Sequence, residues 1–263
     1  MDVSIIRSRI VSPSVAAVLF LLFTPSTYAR VFDFKKERIA SYFGASYGLS
    51  RVGETPFAGS SGVGTNFDKT IATNSGGEIG VLISGEKTSL RLGGEFLIPR
   101  NYADIKGSNA SGEVLFNLDC KVTAMIASAM LEFVTQQTGS SRVILGLGGG
   151  VGFVNLDNTY TFTNAGNTAF PTLADHTENS AARVTALKAS LAYEVLFTDT
   201  VTAMFDLSYR YMPVRVLKGV NSVTTFTGSQ SEGTDLYNHD GGNRTIDLSG
   251  GSIGLVFRFY IGS

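Results

Sequence analysis

The sequence predicts an all-β protein, an eight-stranded antiparallel up-and-down transmembrane β-barrel. Three observations carry the prediction. A secretory signal opens the chain, long segments alternate apolar and polar side chains with a period of two, and short turns alternate with long polar loops. Successive side chains on a strand point to opposite faces, so each such segment has one apolar and one polar side. The segments outrun the strands of ordinary soluble sheets, which run to about 5–6 residues. They suit a barrel with lipid outside and a polar interior.

Residues 1–29 read as a cleaved signal peptide and residues 30–263 as the barrel. Arg7 and Arg9 supply the positive start, Val15 to Phe23 the apolar core, and Thr27-Tyr28-Ala29 the cleavage site after the helix-breaking Pro25. A spanning helix needs about 20 apolar residues, and no later run approaches that. The mature chain is therefore secreted, or it crosses a membrane as a closed barrel, the other fold that satisfies all backbone groups in lipid. The chain has one cysteine, two histidines, no tryptophan and a formal charge of −1. A single cysteine, Cys120, rules out an internal disulfide and reads as a small apolar residue near a strand. The charge balance argues against a nucleic-acid partner, which calls for a basic surface.

Taken in order, a polar-aromatic lead-in (30–36) precedes strand one, at 37–51, with Phe43, Tyr47 and Leu49 outward. A Gly/Ser/Thr/Asn-rich loop spans 52–74. Strand two (75–84) has Ile79, Val81 and Ile83 outward; strand three (88–98) has Leu90, Leu92, Phe96 and Ile98 outward and ends at Pro99, which cannot donate to a ladder. A second polar loop covers 99–112. Residues 113–135 hold strand four, where Val122, Ala124 and Ile126 compete with Leu131 and Phe133 for the outer face, and a bulge is expected to reconcile them. Strand five (142–155) has Val143, Leu145, Leu147, Val151 and Phe153 outward. Its inner glycine row, Gly146, Gly148, Gly150 and Gly152, is expected to admit large side chains from across the lumen. A third long loop (156–181) leads to the long hairpin Arg183–Met212, strands six and seven around the turn Thr198-Asp199-Thr200. A fourth loop (213–244) precedes strand eight at 245–261.

Short turns near 85–87, 136–141 and 198–200 thus alternate with long loops after strands one, three, five and seven. Bacterial outer-membrane barrels have an even strand number, short periplasmic turns and longer outer loops. That places both termini on the periplasmic side.

The chain resembles the eight-stranded outer-membrane barrels of the OmpA, OmpX and opacity-protein type. The residues that carry the resemblance are Met130-Leu131-Glu132-Phe133-Val134, the Gly-rich run from Leu145 to Phe153, Asp206-Leu207-Ser208-Tyr209-Arg210-Tyr211, and the closing Gly254-Leu255-Val256-Phe257-Arg258-Phe259. The resemblance implies an integral protein of a Gram-negative outer membrane, in contact with membrane lipids and lipopolysaccharide. It also implies a C-terminal signal for the barrel-insertion machinery, here Leu255, Phe257 and Phe259. Tyr260, Ile261, Gly262 and Ser263 extend past that signal, a departure from the pattern. Nothing resembles a peptidoglycan-binding domain.

Inward positions carry Glu78, Glu95, Glu194 and Asp206 against Arg91, Lys188, Arg210 and Arg258. Ions removed from water are tolerated only when paired and hydrogen-bonded. Because an eight-stranded barrel is just wide enough for side chains to fill, these read as one charge network closing the lumen. A narrow ion pathway lined by the same residues is the alternative. Arg183 is an outward charge, expected above the hydrocarbon beside lipid headgroups, with Tyr209, Tyr211 and Phe197 as interfacial aromatics.

No cofactor, metal or catalytic residue is expected. Asp175, His176 and Glu178, and likewise Asp235, His239 and Asp240, cluster in loops without a metal-motif spacing, and read as solvated polarity. No nucleophile, base and orienting group are seen in reach of one another. The expected role is structural or surface-interacting, through four long loops that meet another cell surface. On that reading, deleting 156–181 leaves folding intact. A narrow channel and, less favoured, a lipid-modifying enzyme using His176 or His239 are the competing functions.

Overall fold

The structure, a computed structural model, describes residues 32–51, 71–226, 228–238 and 241–261. The expected signal peptide, most of the expected first loop, the His239–Asp240 pair and the last two residues lie outside the described residues. Eight strands form a closed antiparallel ring: β1 (Ile39–Arg51), β2 (Ile71–Ser84), β3 (Thr88–Ser108), β4 (Val114–Gln137), β5 (Ser141–Phe162), β6 (His176–Leu196), β7 (Val201–Tyr211) and β8 (Gly250–Ile261). Each pairs with its neighbour in sequence, and β8 closes on β1, Phe43 opposite Phe257 and Ile39 opposite Ile261. Closure leaves no edge in the part that meets lipid. Among the described residues no helix is long and apolar enough to cross a membrane.

The outer face of the ring is an apolar band. Phe43, Ile79, Val81, Phe96, Leu147, Val151, Leu191, Phe205, Leu207 and Ile253 are all exposed on it. At its short-turn edge Phe43 stacks on Phe259 at 5.6 Å and packs beside Phe257 at 5.7 Å, while Phe197 meets Phe257 edge-on at 6.3 Å. At the other edge the Arg183 guanidinium lies 5.9 Å from the Phe153 ring centre.

Strands β3 to β6 run far past this band, and here the structure corrects two expected loops. The segment 99–112 is largely β3, and only Asn109–Glu113 turns. The Asn109 side-chain oxygen accepts from the Ser111 and Glu113 amides (3.1 and 2.9 Å), and Gly112 takes φ +85°. That left-handed conformation favours glycine. Likewise 156–181 is mostly the ends of β5 and β6, joined by a one-turn helix α1 (Asn164–Ala169) that Thr163 caps by accepting from the Gly166 amide (3.1 Å). Deleting 156–181 would therefore cut two strands.

The extended strands keep their parity but exchange the polarity of their faces. On β5 the outward series changes from Val151 and Phe153 to Asn155, Asp157, Thr159 and Thr161, while the inward series changes from glycines to Val154, Leu156, Tyr160 and Phe162. On β4, Val122, Ala124 and Ile126 are buried inside and Leu131 and Phe133 exposed outside, and pairing to β5 is unbroken from Phe116 to Val134. The bulge expected to reconcile them is absent from that stretch; the register shifts fall between β3 and β4, near Pro99 and beyond, and between β4 and β5 after Val134. One strand simply passes from lipid, where apolar groups face out, into water, where they face in.

The four projecting strands make a wall, and the segment between β7 and β8 folds onto its inner side. Val214, Leu217, Leu236, Ile246 and Leu248 of that segment pack with Ile105, Phe116, Leu118, Cys120, Leu156, Tyr160 and Val184 of the wall in one buried cluster. The result is an apolar cup, filled by the chain itself, above a polar lumen.

Candidate functional site

The eight predicted lumen charges come from inward positions on five strands, β2, β3, β6, β7 and β8, and all eight face inside. The nearest neighbours of the β5 glycine row are the adjoining strands β4 and β6, and Gly150 shares a small void with Arg91, Glu95 and Arg210 of the lumen network. A Cβ at Gly146 would stand 2.8 Å from the Met130 sulfur, and one at Gly150 2.7 Å from Ile126. Across the barrel, Tyr42 lies over Gly80 and Gly93, and the Arg91 guanidinium sits 4.6 Å over the Tyr42 ring.

Two acids, Glu78 and Glu95, are directly opposed on β2 and β3, and two bases, Lys188 and Arg210, directly opposed on β6 and β7. Like charges in opposed positions repel. Here they are matched across the lumen: Lys188 Nζ reaches Glu78 at 3.3 Å and Glu95 at 3.6 Å, and Arg210 donates to Glu95. Arg91 joins this quartet to the next layer, with Glu78 at 2.8 Å, Asp206 at 3.5 Å and Glu132 at 3.6 Å. Arg258 then bridges Glu132 and Glu194, the latter at 2.9 Å, and Arg142 Nε donates to Glu194 at 2.7 Å. Glu194 also accepts from Tyr260 Oη (3.0 Å) and from Thr202. Five acids and five bases form one continuous chain of contacts.

Sequence reasoning missed two of the ten, Glu132 and Arg142. Both have inward parity, and extending the β5 pattern one step below Ile144 reaches Arg142. At the short-turn mouth, Phe34 of the lead-in lies 4.5 Å beneath the Arg142 guanidinium and, with Phe32 and Tyr260, stops that end by edge-on ring contacts. The two voids around the quartet measure about 20 Å³ each. That is room for about one water apiece. Leu255, Phe257 and Phe259 share the outward parity of β8, and the two phenylalanines belong to the aromatic cluster already described.

A second group of charges lies in the cup, well outside the membrane-facing band, which on β6 begins at Leu187. The solvated acidic cluster expected at Asp175, His176 and Glu178 is instead built into the fold. Asp175 accepts from the Phe162 amide (2.8 Å), and the Glu178 side chain is fully buried against Arg244, which is 1% exposed. Arg244 also donates to Asn238 Oδ1 (3.4 Å) and the Tyr237 carbonyl (3.3 Å). His176 Nε2 is 3.6 Å from Glu178, its Nδ1 is 2.8 Å from the Ala174 carbonyl, and its ring stacks on Tyr160 at 5.0 Å. Burial favours the neutral forms of both. Against it, Arg244 and His176 hold the Glu178 carboxyl below its usual range, and bonding to Glu178 and Ala174 raises the His176 imidazole above its usual range. Arg244 carried no signal in the sequence, because its partner lies 66 residues away. No group of metal-ligating side chains occurs among the described residues.

No protein-family model matches this sequence, and no curated protein is detectably similar to it. Among solved structures, the chain is similar to a major outer membrane protein from Thermus thermophilus (11% identity, 84% of this chain and 98% of that one, TM-score 0.45). It is similar also to the outer membrane protein OprG from Pseudomonas aeruginosa (14% identity, 88% and 99%, TM-score 0.43). A third is Ail, the attachment invasion locus protein of Yersinia pestis (11% identity, 86% and 99%, TM-score 0.36). In its closed ring of eight antiparallel strands with one face to lipid, this chain resembles the eight-stranded outer-membrane β-barrels of the OmpA, OmpX and opacity-protein type.

Proposed function

We propose that this protein is an integral outer-membrane barrel with a closed lumen, serving a structural or surface-interaction role through the parts that stand at its long-loop end. The observation that carries this reading is the lumen itself: ten paired charges cross it layer by layer, and the voids around the central quartet measure about 20 Å³ each. A passage for solutes needs a continuous bore, which an eight-stranded barrel filled by its own side chains lacks. Function then rests with surface elements held on a rigid scaffold, where binding residues commonly lie. On this reading both termini are periplasmic, and outer-membrane lipids and lipopolysaccharide surround the apolar band, with Arg183 near their headgroups. The barrel-insertion machinery meets Leu255, Phe257 and Phe259, and a ligand on a host or other cell surface meets the loops. The protein is not an enzyme on this reading. The lumen charges are the basis of the competing channel reading, which conductance decides.

The test replaces residues 164–172, the short connection over the wall, with a glycine-serine linker and compares vesicles carrying each protein for adhesion to cell and glycan surfaces. The reading expects a folded barrel with altered adhesion. Equal adhesion by the two proteins and by empty vesicles, on every surface, would count against it.

A further inference from the structure

We propose that residues 212–226, 228–238 and 241–249 form a hinged lid over the apolar cup, latched by the Arg244–Glu178 ion pair, with His176 as a third member that tightens the latch in mild acid. Its two stems are tied together: the Met212 amide donates to Ser249 Oγ (2.8 Å) and the Leu248 amide to the Met212 carbonyl (3.1 Å). A segment on adjacent stems can swing as one body. Elsewhere it is held by the apolar cluster described above, by the Phe226 ring against Phe116, Tyr160 and His176, and by few backbone bonds. Lys218 and Gly219 pair with Ala181 and Ser180, the Val220 amide donates to the Asn179 carbonyl (2.8 Å), and Asn221 bonds the Asn179 amide and the Thr177 carbonyl. Among the described residues the lid's other ion pair, Lys218–Asp235, lies in solvent within the lid itself. Arg244 is thus the lid's buried charge, and Glu178 receives it from the wall. Breaking a buried pair leaves an uncompensated ion in a low-dielectric setting, so loss of the pair should loosen a lid that apolar packing otherwise holds down.

The groups that face His176 are Glu178 on its own strand, Arg244 from the lid, Tyr160 from β5 and Asp175, which is engaged with the Phe162 amide. Protonated His176 adds a second cation to Glu178. Its position beside Glu178 raises its proton affinity in the closed state, so the contribution is full below the ordinary histidine range, about 6.5, and is lost as pH rises through the closed-state value. Glu178 acts in the opposite sense, and its contribution disappears only when pH falls through its lowered range. This inference stands whether or not the surface binds a ligand.

The chain supplies its own reporter. Cys120, its one cysteine, lies 2% exposed on the inner face of β4, beneath the lid. The experiment measures maleimide labelling of Cys120 in the refolded full-length barrel in vesicles, between about pH 6 and about pH 8.5. Each rate is divided by that of the unfolded chain at the same pH, which removes the intrinsic pH dependence of the thiol, and Arg244→Lys, which keeps the charge that acts on Cys120, is the control for Arg244→Gln. The normalised rate should rise severalfold with pH in the native protein and stay flat in His176→Asn. Arg244→Gln should label faster by about two orders of magnitude, the equivalent of ~3 kcal/mol for a broken buried pair. A flat native profile, a slope that survives in His176→Asn, or native-like labelling of Arg244→Gln would each overturn the proposal. Should Arg244→Gln fail to give the folded, heat-modifiable gel band, the partly exposed His176 variant and Arg244→Lys still decide it.

Discussion

Replacing Glu194 by alanine should be among the most costly single changes in the barrel. Its carboxylate is fully buried and accepts from Arg142 (2.7 Å), Arg258 (2.9 Å), Tyr260 (3.0 Å) and Thr202. In the variant Arg258 keeps Glu132, but Arg142 retains only the Tyr260 hydroxyl (2.6 Å) and the face of Phe34. Stranding one partner of a buried pair costs about 3–5 kcal/mol, and the remaining contacts of Arg142 should hold the loss near the middle, about 4 kcal/mol. Glu194→Gln preserves shape and some hydrogen bonds and should lose roughly half of that. The assay is the urea-dependent folding equilibrium in lipid vesicles, followed by the heat-dependent gel shift. A loss below about 1 kcal/mol, the value of a solvated surface pair, would refute the reasoning and mean that water reaches this layer.

Two further changes test the packing around the network. Gly93→Ala puts a Cβ against the Tyr42 hydroxyl and 2.6 Å from the Ile79 carbonyl, so it should cost about 1–3 kcal/mol in the same equilibrium. Tyr42→Phe should recover part of that loss; no recovery would contradict the placement of Tyr42. Phe34→Ala removes the ring beneath Arg142 and the seal at the short-turn mouth. It should cost about 2–4 kcal/mol, and hydrogen exchange should quicken at β8 residues near Tyr260 before those near Gly250. Uniform exchange would show that the lead-in does not seal the mouth.

How far the sequence could be read depended on which solvent each stretch meets. Strands β1, β2, β7 and β8 lie almost wholly in the apolar band, and their alternation placed every inward charge on them. Strands β3 to β6 cross from lipid into water, so a rule of apolar side outward fails halfway along each. At Phe153 the outward series turns polar, and 156–181 looked like a loop because its outer residues are those of a soluble sheet. The same exchange made Val122, Ala124 and Ile126 seem to compete with Leu131 and Phe133. Parity alone reads correctly through both regimes, and it would have added Glu132 and Arg142 to the network. Pro99 looked like a strand end, yet β3 continues past it through a register shift, where a missing donor is tolerated. Arg244 was not legible at all: a loop arginine becomes a core residue only through the tertiary path of the segment that carries it.

Single-channel conductance of the refolded protein in a planar bilayer tests the central claim, that paired charges close the lumen. The account predicts a silent membrane for the native barrel, with folding checked by the gel shift. It predicts silence also for Arg210→Ala, which leaves Glu95 its contact with Lys188 and widens one void of about 20 Å³ while Arg91, Arg258 and the ring of Phe34 beneath Arg142 still close the bore. Steady openings of the native protein, altered in size by Arg210→Ala, would contradict it and make the same residues the lining of a pore.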